Sequence, residues 1–332
     1  MTSDNDLLCL SDLHLAQHFP LRLYPQFEEI ETIISDISQT LNIKLPHYHN
    51  YQSMTYFMFP DTTAERLVAL SLLSNLLYYI DDLYDRHKLH PHPETLDLPR
   101  HFKKVIEIFC LGDAAMPCQQ HLLYDTALAL HHHFLQLSNP TWFEHFVKVL
   151  TEHLMSTRPQ SMTEPEHYNS AEEYFRVREL DGGIWTSINS IEFAANRFLP
   201  QKIHNHPHIH DMSLLCGRIA TLTNDLFSYE KEVIDMGSQF NLLAVLMQSA
   251  GLTFEQAVHC AIESINYDTA KFVEACDTVP DFGTMDLNTD VQMYIQGLRD
   301  ILSATWYWQM ATDRYRSPTS PFVELRCPSP LL

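Results

Sequence analysis

Asn224 to Glu232 reads NDLFSYEKE. Asn224, Ser228 and Glu232 are spaced i, i+4, i+8. On a helix that spacing sets an amide carbonyl, a hydroxyl and a carboxylate in a row along one face, about two turns long. All three are hard oxygen donors, the ligand type that Mg²⁺ prefers. Lys231 stands beside the row as a point charge that can reach a phosphate. The competing reading is a solvated helix face that carries these residues by coincidence.

A second acidic stretch shifts the balance. Asp81, Asp82 and Asp85 form DDLYD at the end of the apolar run Leu72 to Ile80. Carboxylates there are costly unless something cationic meets them. Asp81 and Asp85 are i, i+4, so they share a face and repel each other on a bare helix. A divalent cation removes that repulsion. Two such oxygen clusters, each on an expected helix, are far less a matter of chance than either alone.

Both clusters together resemble the microbial class I terpene synthases, whose hallmarks are an aspartate-rich motif like DDLYD and a triad like NDLFSYEKE. Two further features match: Arg178, 46 residues before Asn224, and the pair Arg314-Tyr315 near the C-terminus. The resemblance spans roughly residues 55 to 316. It implies three Mg²⁺ ions, with Asp81 and Asp85 on two of them and Asn224, Ser228 and Glu232 on the third. It implies that Arg178, Lys231, Arg314 and Tyr315 donate hydrogen bonds to a prenyl diphosphate. Asp181 and Gly182 fall where the family has a linker and an effector residue after its sensor arginine. Trp308 stands where the family often has Trp, and Tyr78 shares the face of Asp81. Both are expected to line the pocket that holds the hydrocarbon cation.

Composition bounds the reading. The chain has 332 residues, 45% of them apolar and only 8 of them glycine. No Gly-rich phosphate loop of the GxGxxG or GxxxxGK[ST] kind occurs. The net charge of −21, from 42 acidic and 21 basic residues, opposes nucleic-acid binding. An anionic substrate then needs metal ions and a few placed cations to bridge it to an acidic protein. Seven scattered cysteines with no CxxC pair suggest reduced thiols in a cytoplasm. No apolar run approaches the ~18 residues of a membrane span.

The periodicities predict an all-α, single-domain bundle of about ten helices around a central active-site cavity. Residues 1–20 show no clean period and are expected to be mobile. Residues 21–316 form the domain, and 317–332 a Pro-rich tail read as loop. Capping boxes are expected at Thr62/Glu65, Ser170/Glu173 and Thr253/Gln256. Asp181-Gly182-Gly183 interrupts a helix, and a last long helix runs from about Asp286 to Tyr315. The expected activity is a Mg²⁺-dependent cyclase that ionises farnesyl or geranylgeranyl diphosphate and closes the cation to a hydrocarbon or alcohol. The alternatives are a chain-elongating prenyltransferase, which normally carries two DDxxD motifs, and a non-catalytic helical prenyl-lipid-binding scaffold. A homodimer is a further expectation, and the oligomeric state is not read from the residues.

Overall fold

The computed structural model describes residues 8–40, 48–89, 98–118, 121–156 and 168–327, apart from the side chains of residues 48, 49, 84–89, 156, 180 and 181. The described residues contain fourteen α-helices and no strand, with one isolated bridge pairing Leu8 and Phe322. This is the expected all-α class, with more helices than the ten expected because short pieces carry no readable period. The short pieces are α1 (Leu15–His18), α3 (Met54–Met58) and α10 (Gln201–His204).

The longer helices follow the apolar periods. They are α2 (Phe27–Thr40), α4 (Ala64–Leu89), α5 (Leu98–Leu111), α6 (Leu122–Leu137), α7 (Pro140–Ser156), α8 (Ala171–Asp181) and α9 (Ile184–Ala195). After them come α11 (Pro207–Tyr229), α12 (Leu242–Ala250), α13 (Phe254–Asp277) and α14 (Met285–Ala311). Helix α12 has no counterpart in the sequence reading. Its run LLAVL is apolar on every side, since Leu242 to Leu246 are all buried, so no polar face marks a 3.6 period. Helices α11 and α14 pack side by side, and both contact α9.

The caps show where local reading holds. Thr253 and Gln256 form a full capping box at α13. At α8 the Ser170 hydroxyl accepts from the Glu173 N–H, but the Glu173 carboxylate takes the N–H of Asn169 instead of that of Ser170. The box at Thr62 is absent. Helix α4 begins at Ala64, and the Thr62 hydroxyl donates to the Ala194 carbonyl at 2.7 Å, tying α4 to the end of α9.

Both ends of the described chain belong to the core. Leu10, Leu13, Leu15 and Phe19, in the segment before residue 20, are buried. Phe322 and Leu325 are buried as well, so the stretch after residue 316 is a packed strap as far as it is described. Glu324 joins the two ends, accepting from Cys9 Sγ at 2.8 Å and from the Ser11 N–H at 3.0 Å.

Candidate active site

A cavity of about 370 Å³ opens between α3, α4, α7, the α8–α9 junction, α11 and α14. Its depth is mostly apolar, with Met58, Phe59, Leu73, Leu77, Ile184 and Trp308 on the walls. The polar groups gather on the same lining: Asp81, Arg178, Asn224, Glu232, Arg314 and Tyr315. Tyr78 and Gly182 line it too. Nine expected site residues, from five separate stretches of chain, therefore meet around one space. Ser228 and Lys231 stand beside it. The side chains of Asp85 and Asp181 lie outside the described residues.

The triad stretch is not one uniform helix. Helix α11 stops at Tyr229, and Glu230 to Asp235 form a π-helical turn. On a continuous α-helix, eight residues at about 100° each would leave Glu232 some 80° round from Asn224. A turn closed by i→i+5 bonds spends more residues per revolution, so it swings Glu232 back toward Asn224. Asn224 and Glu232 accordingly both face the cavity.

Ser228 Oγ is wholly buried and has no hydrogen-bond partner. It lies near enough to favour the charged form of Glu232, though without hydrogen-bond geometry. Burial pushes the Glu232 carboxyl up to about 7, against the pull of Arg178. Among the described residues its carboxylate accepts a long 3.4 Å hydrogen bond from Asn241 Nδ2. An unpartnered hydroxyl and a poorly compensated carboxylate, both hard oxygen donors, suit a small divalent cation.

Asp225 is the residue the sequence reading missed. It sits on the core face of α11, with Leu222 and Tyr229 buried three residues before and four after it. Its carboxylate accepts from Arg178 Nε at 2.9 Å, from the Tyr174 hydroxyl at 2.5 Å and from the Leu242 N–H at 3.1 Å. Burial pushes the Asp225 carboxyl up, and Arg178 and Tyr174 pull it back. The signal was present: a carboxylate at a core spacing demands a buried partner. Arg178 is that partner, and its Nη2 also donates to Asn224 Oδ1 at 2.9 Å. Asn224 Nδ2 in turn donates to Gln309 Oε1 at 3.0 Å and to the Tyr315 hydroxyl oxygen at 2.9 Å. That leaves the Tyr315 proton available for another acceptor.

The last expected helix breaks early. Helix α14 ends at Ala311, Thr312 is extended, and Asp313–Tyr315 form a separate 3-10 turn capped by the Thr312 hydroxyl. The break carries Arg314 back to α4. Arg314 Nη2 donates to Asp81 at 2.6 Å and Nη1 to Asp82 at 2.9 Å. Lys231 Nζ is 3.9 Å from Asp82. Asp81 lies deep in the fold yet keeps 54% of its side-chain surface open, because that surface faces the cavity. Burial works against its charge, but Arg314, then Lys231 and His153, hold its carboxyl below the usual carboxylate range.

The α8–α9 junction places backbone at the cavity. Gly183 has φ 65°, a left-handed conformation that suits glycine. A Cβ at Gly183 would lie 3.1 Å from the His153 ring, and one at Gly182 would lie 2.6 Å from Thr221 Cγ2. The two glycines thus let α7 and α11 close on the junction. On the opposite wall Trp308 is buried and donates through Nε1 to Ser53 Oγ at 2.9 Å, with Tyr78 5.7 Å away centroid to centroid.

The geometry has relatives. Residues 73–271 match the model of terpene synthase family 2, C-terminal metal binding. The chain is 24% identical over 278 residues to a (+)-eremophilene synthase of Sorangium cellulosum, covering 82% of this chain and 81% of that one. It is 30% identical over 152 residues to sesquiterpene synthase 3 of Postia placenta, covering 46% and 41%. The solved germacradien-4-ol synthase of Streptomyces citricolor shares the fold at a TM-score of 0.73 and 15% identity, over 93% of this chain and 99% of that one.

Proposed function

The chain belongs to terpene synthase family 2 and is a class I terpene cyclase, and from that premise we propose that it ionises farnesyl diphosphate and cyclises the C15 cation. The observation that carries the proposal is the meeting of two oxygen clusters and three cationic side chains at one apolar cavity. The C15 chain length is supported by the sesquiterpene synthase among its relatives. It is also supported by a cavity of about 370 Å³, near the small end of the range for ligand sites.

Asp81 and Asp85, and separately Asn224, Ser228 and Glu232, are the residues proposed to hold Mg²⁺, three ions in all as the resemblance implies. When bound, Mg²⁺ supplies positive charge that neutralises the diphosphate and stabilises it as a leaving group. The rest is the work of this chain. Arg178, Lys231, Arg314 and Tyr315 donate to the diphosphate oxygens, which gain charge as the allylic C–O bond breaks and the electron pair leaves with oxygen. Asp225 and Tyr174 fix Arg178 for that task. Gly182 presents backbone, not side chain, at the reacting end. The apolar walls keep water from the cation. The faces of Trp308 and Tyr78 stabilise it without attacking it. A cytoplasmic location is proposed as well, supported by seven free cysteines. Among the described residues no helix is long and apolar enough to cross a membrane.

The test is parallel incubation with farnesyl and geranylgeranyl diphosphate in Mg²⁺, with hexane extracts read by mass spectrometry. Cyclic C15 products from the farnesyl substrate are expected. A clear preference for the C20 substrate would overturn the chain-length assignment.

A further inference from the structure

The guanidinium of Arg314 rests on two tyrosine rings. Its central carbon is 4.8 Å from the centroid of Tyr51 and 5.0 Å from that of Tyr78. The two rings are 4.8 Å apart and inclined at 53°, so they form a two-sided seat and not a stack. Only 4% of the Arg314 side chain is exposed, and its outward N–H groups reach Asp81 and Asp82. Tyr51 comes from the turn Tyr48–Ser53, before α3. It is absent from the cavity lining and stands behind Tyr78 and Trp308. Its backbone carbonyl accepts from Ser74 of α4 at 3.3 Å, which fixes the ring relative to the helix that carries Asp81.

We propose that Tyr51 is a positioning residue for Arg314: its ring face, with that of Tyr78, holds the guanidinium at the cavity beside Asp81 and Asp82, where its N–H groups meet the diphosphate when substrate binds. The proposal rests on the reading of Arg314 as a diphosphate ligand. The chemistry is specific to a guanidinium on an aromatic face. A desolvated cation over a ring is attracted by the ring quadrupole. A long arginine side chain released from such a seat recovers rotamers that point elsewhere. Arg314 sits on its own short turn after α14, so the two rings and the carboxylates of Asp81 and Asp82 together set where its guanidinium lies. Tyr78 touches the cavity and can serve the hydrocarbon as well. Tyr51 does not, so its effect on diphosphate binding runs through Arg314.

The experiment is a double-mutant cycle read by calorimetric affinity for inorganic diphosphate in saturating Mg²⁺, with KM and kcat for farnesyl diphosphate measured beside it. Arg314→Ala is expected to weaken diphosphate binding. If it does not, the reading of Arg314 fails, and this proposal with it. Tyr51→Leu is expected to weaken diphosphate by about tenfold, and Tyr51→Met, which keeps more volume, to do the same. Tyr51→Phe, which keeps the ring, restores the affinity. In the Arg314→Ala background Tyr51→Leu adds no further loss. Unchanged affinity in the folded Leu or Met variant overturns the proposal while leaving Arg314 in place. So does an equal loss with and without Arg314, which would make Tyr51 a packing residue only.

Discussion

Asp225 shows how one carboxylate organises the site. It holds Arg178, Tyr174 and the start of α12 at once. Replacing it with Asn keeps the shape and removes the negative charge that meets the buried Arg178 guanidinium at 2.9 Å. Breaking a buried pair from one side typically costs about 3–5 kcal/mol. Urea unfolding of Asp225→Asn is expected to show a loss of that order, with turnover falling as well. A variant as stable as wild type would mean that Arg178 has another anchor. At Trp308 the expectation concerns products. Trp308→Phe keeps a ring on the wall but gives up the bond to Ser53, so cyclisation should persist. Trp308→Leu removes the face and should release acyclic or monocyclic alkenes and alcohols alongside undiminished diphosphate. Gas chromatography of both variants, with a diphosphate assay, decides this; identical profiles would assign Trp308 to packing alone. Asn224 and Glu232 were legible because their spacing and chemistry are local. Asp225 was not singled out, since its meaning depends on Arg178, which no local pattern connects to it.

Among the elements, the long amphipathic helices were legible from their apolar periods. What escaped was whatever tertiary contact decides: the all-apolar α12, the π turn that redirects Glu232, and the packed ends. The N-terminal segment is clamped to α14 by Arg22, whose Nη1 donates to Asp300 at 2.8 Å and whose Nη2 donates to Asp61 at 2.5 Å. Burial pushes the Asp300 carboxyl up to about 6 from its ordinary 3.8, against Gln296 and Arg22. Between those two values the folded protein keeps a proton that the unfolded chain has released, so the contribution of this group to stability falls as pH rises. The stability of wild type minus that of Asp300→Asn, from melts at pH 4, 5 and 6, should therefore shrink with rising pH. A difference that grows would mean that the charged pair with Arg22 outweighs its desolvation. At the other end, Leu325 of the strap is fully buried. Leu325→Ala should cost about 2–5 kcal/mol, measured by denaturant melts, whereas truly loose tail residues would cost nothing.

For the whole molecule, the net charge of −21 and the site form one argument. An acidic protein that binds a diphosphate must concentrate its few cations at one place. Arg178, Arg314 and Lys231 are brought there from three distant stretches, each close to a carboxylate. Metal ions are the remaining source of positive charge, and the buried, unpartnered Ser228 hydroxyl near Glu232 belongs to the place proposed above for one. The most direct measurement is diphosphate release from farnesyl diphosphate by wild type and by Glu232→Ala, each with Mg²⁺ and with excess EDTA. The account predicts rapid release only from wild type with Mg²⁺, loss of release in EDTA that added Mg²⁺ restores, and little release from Glu232→Ala although its circular dichroism stays helical. Wild-type release in chelator, or from the Glu232 variant, would contradict it.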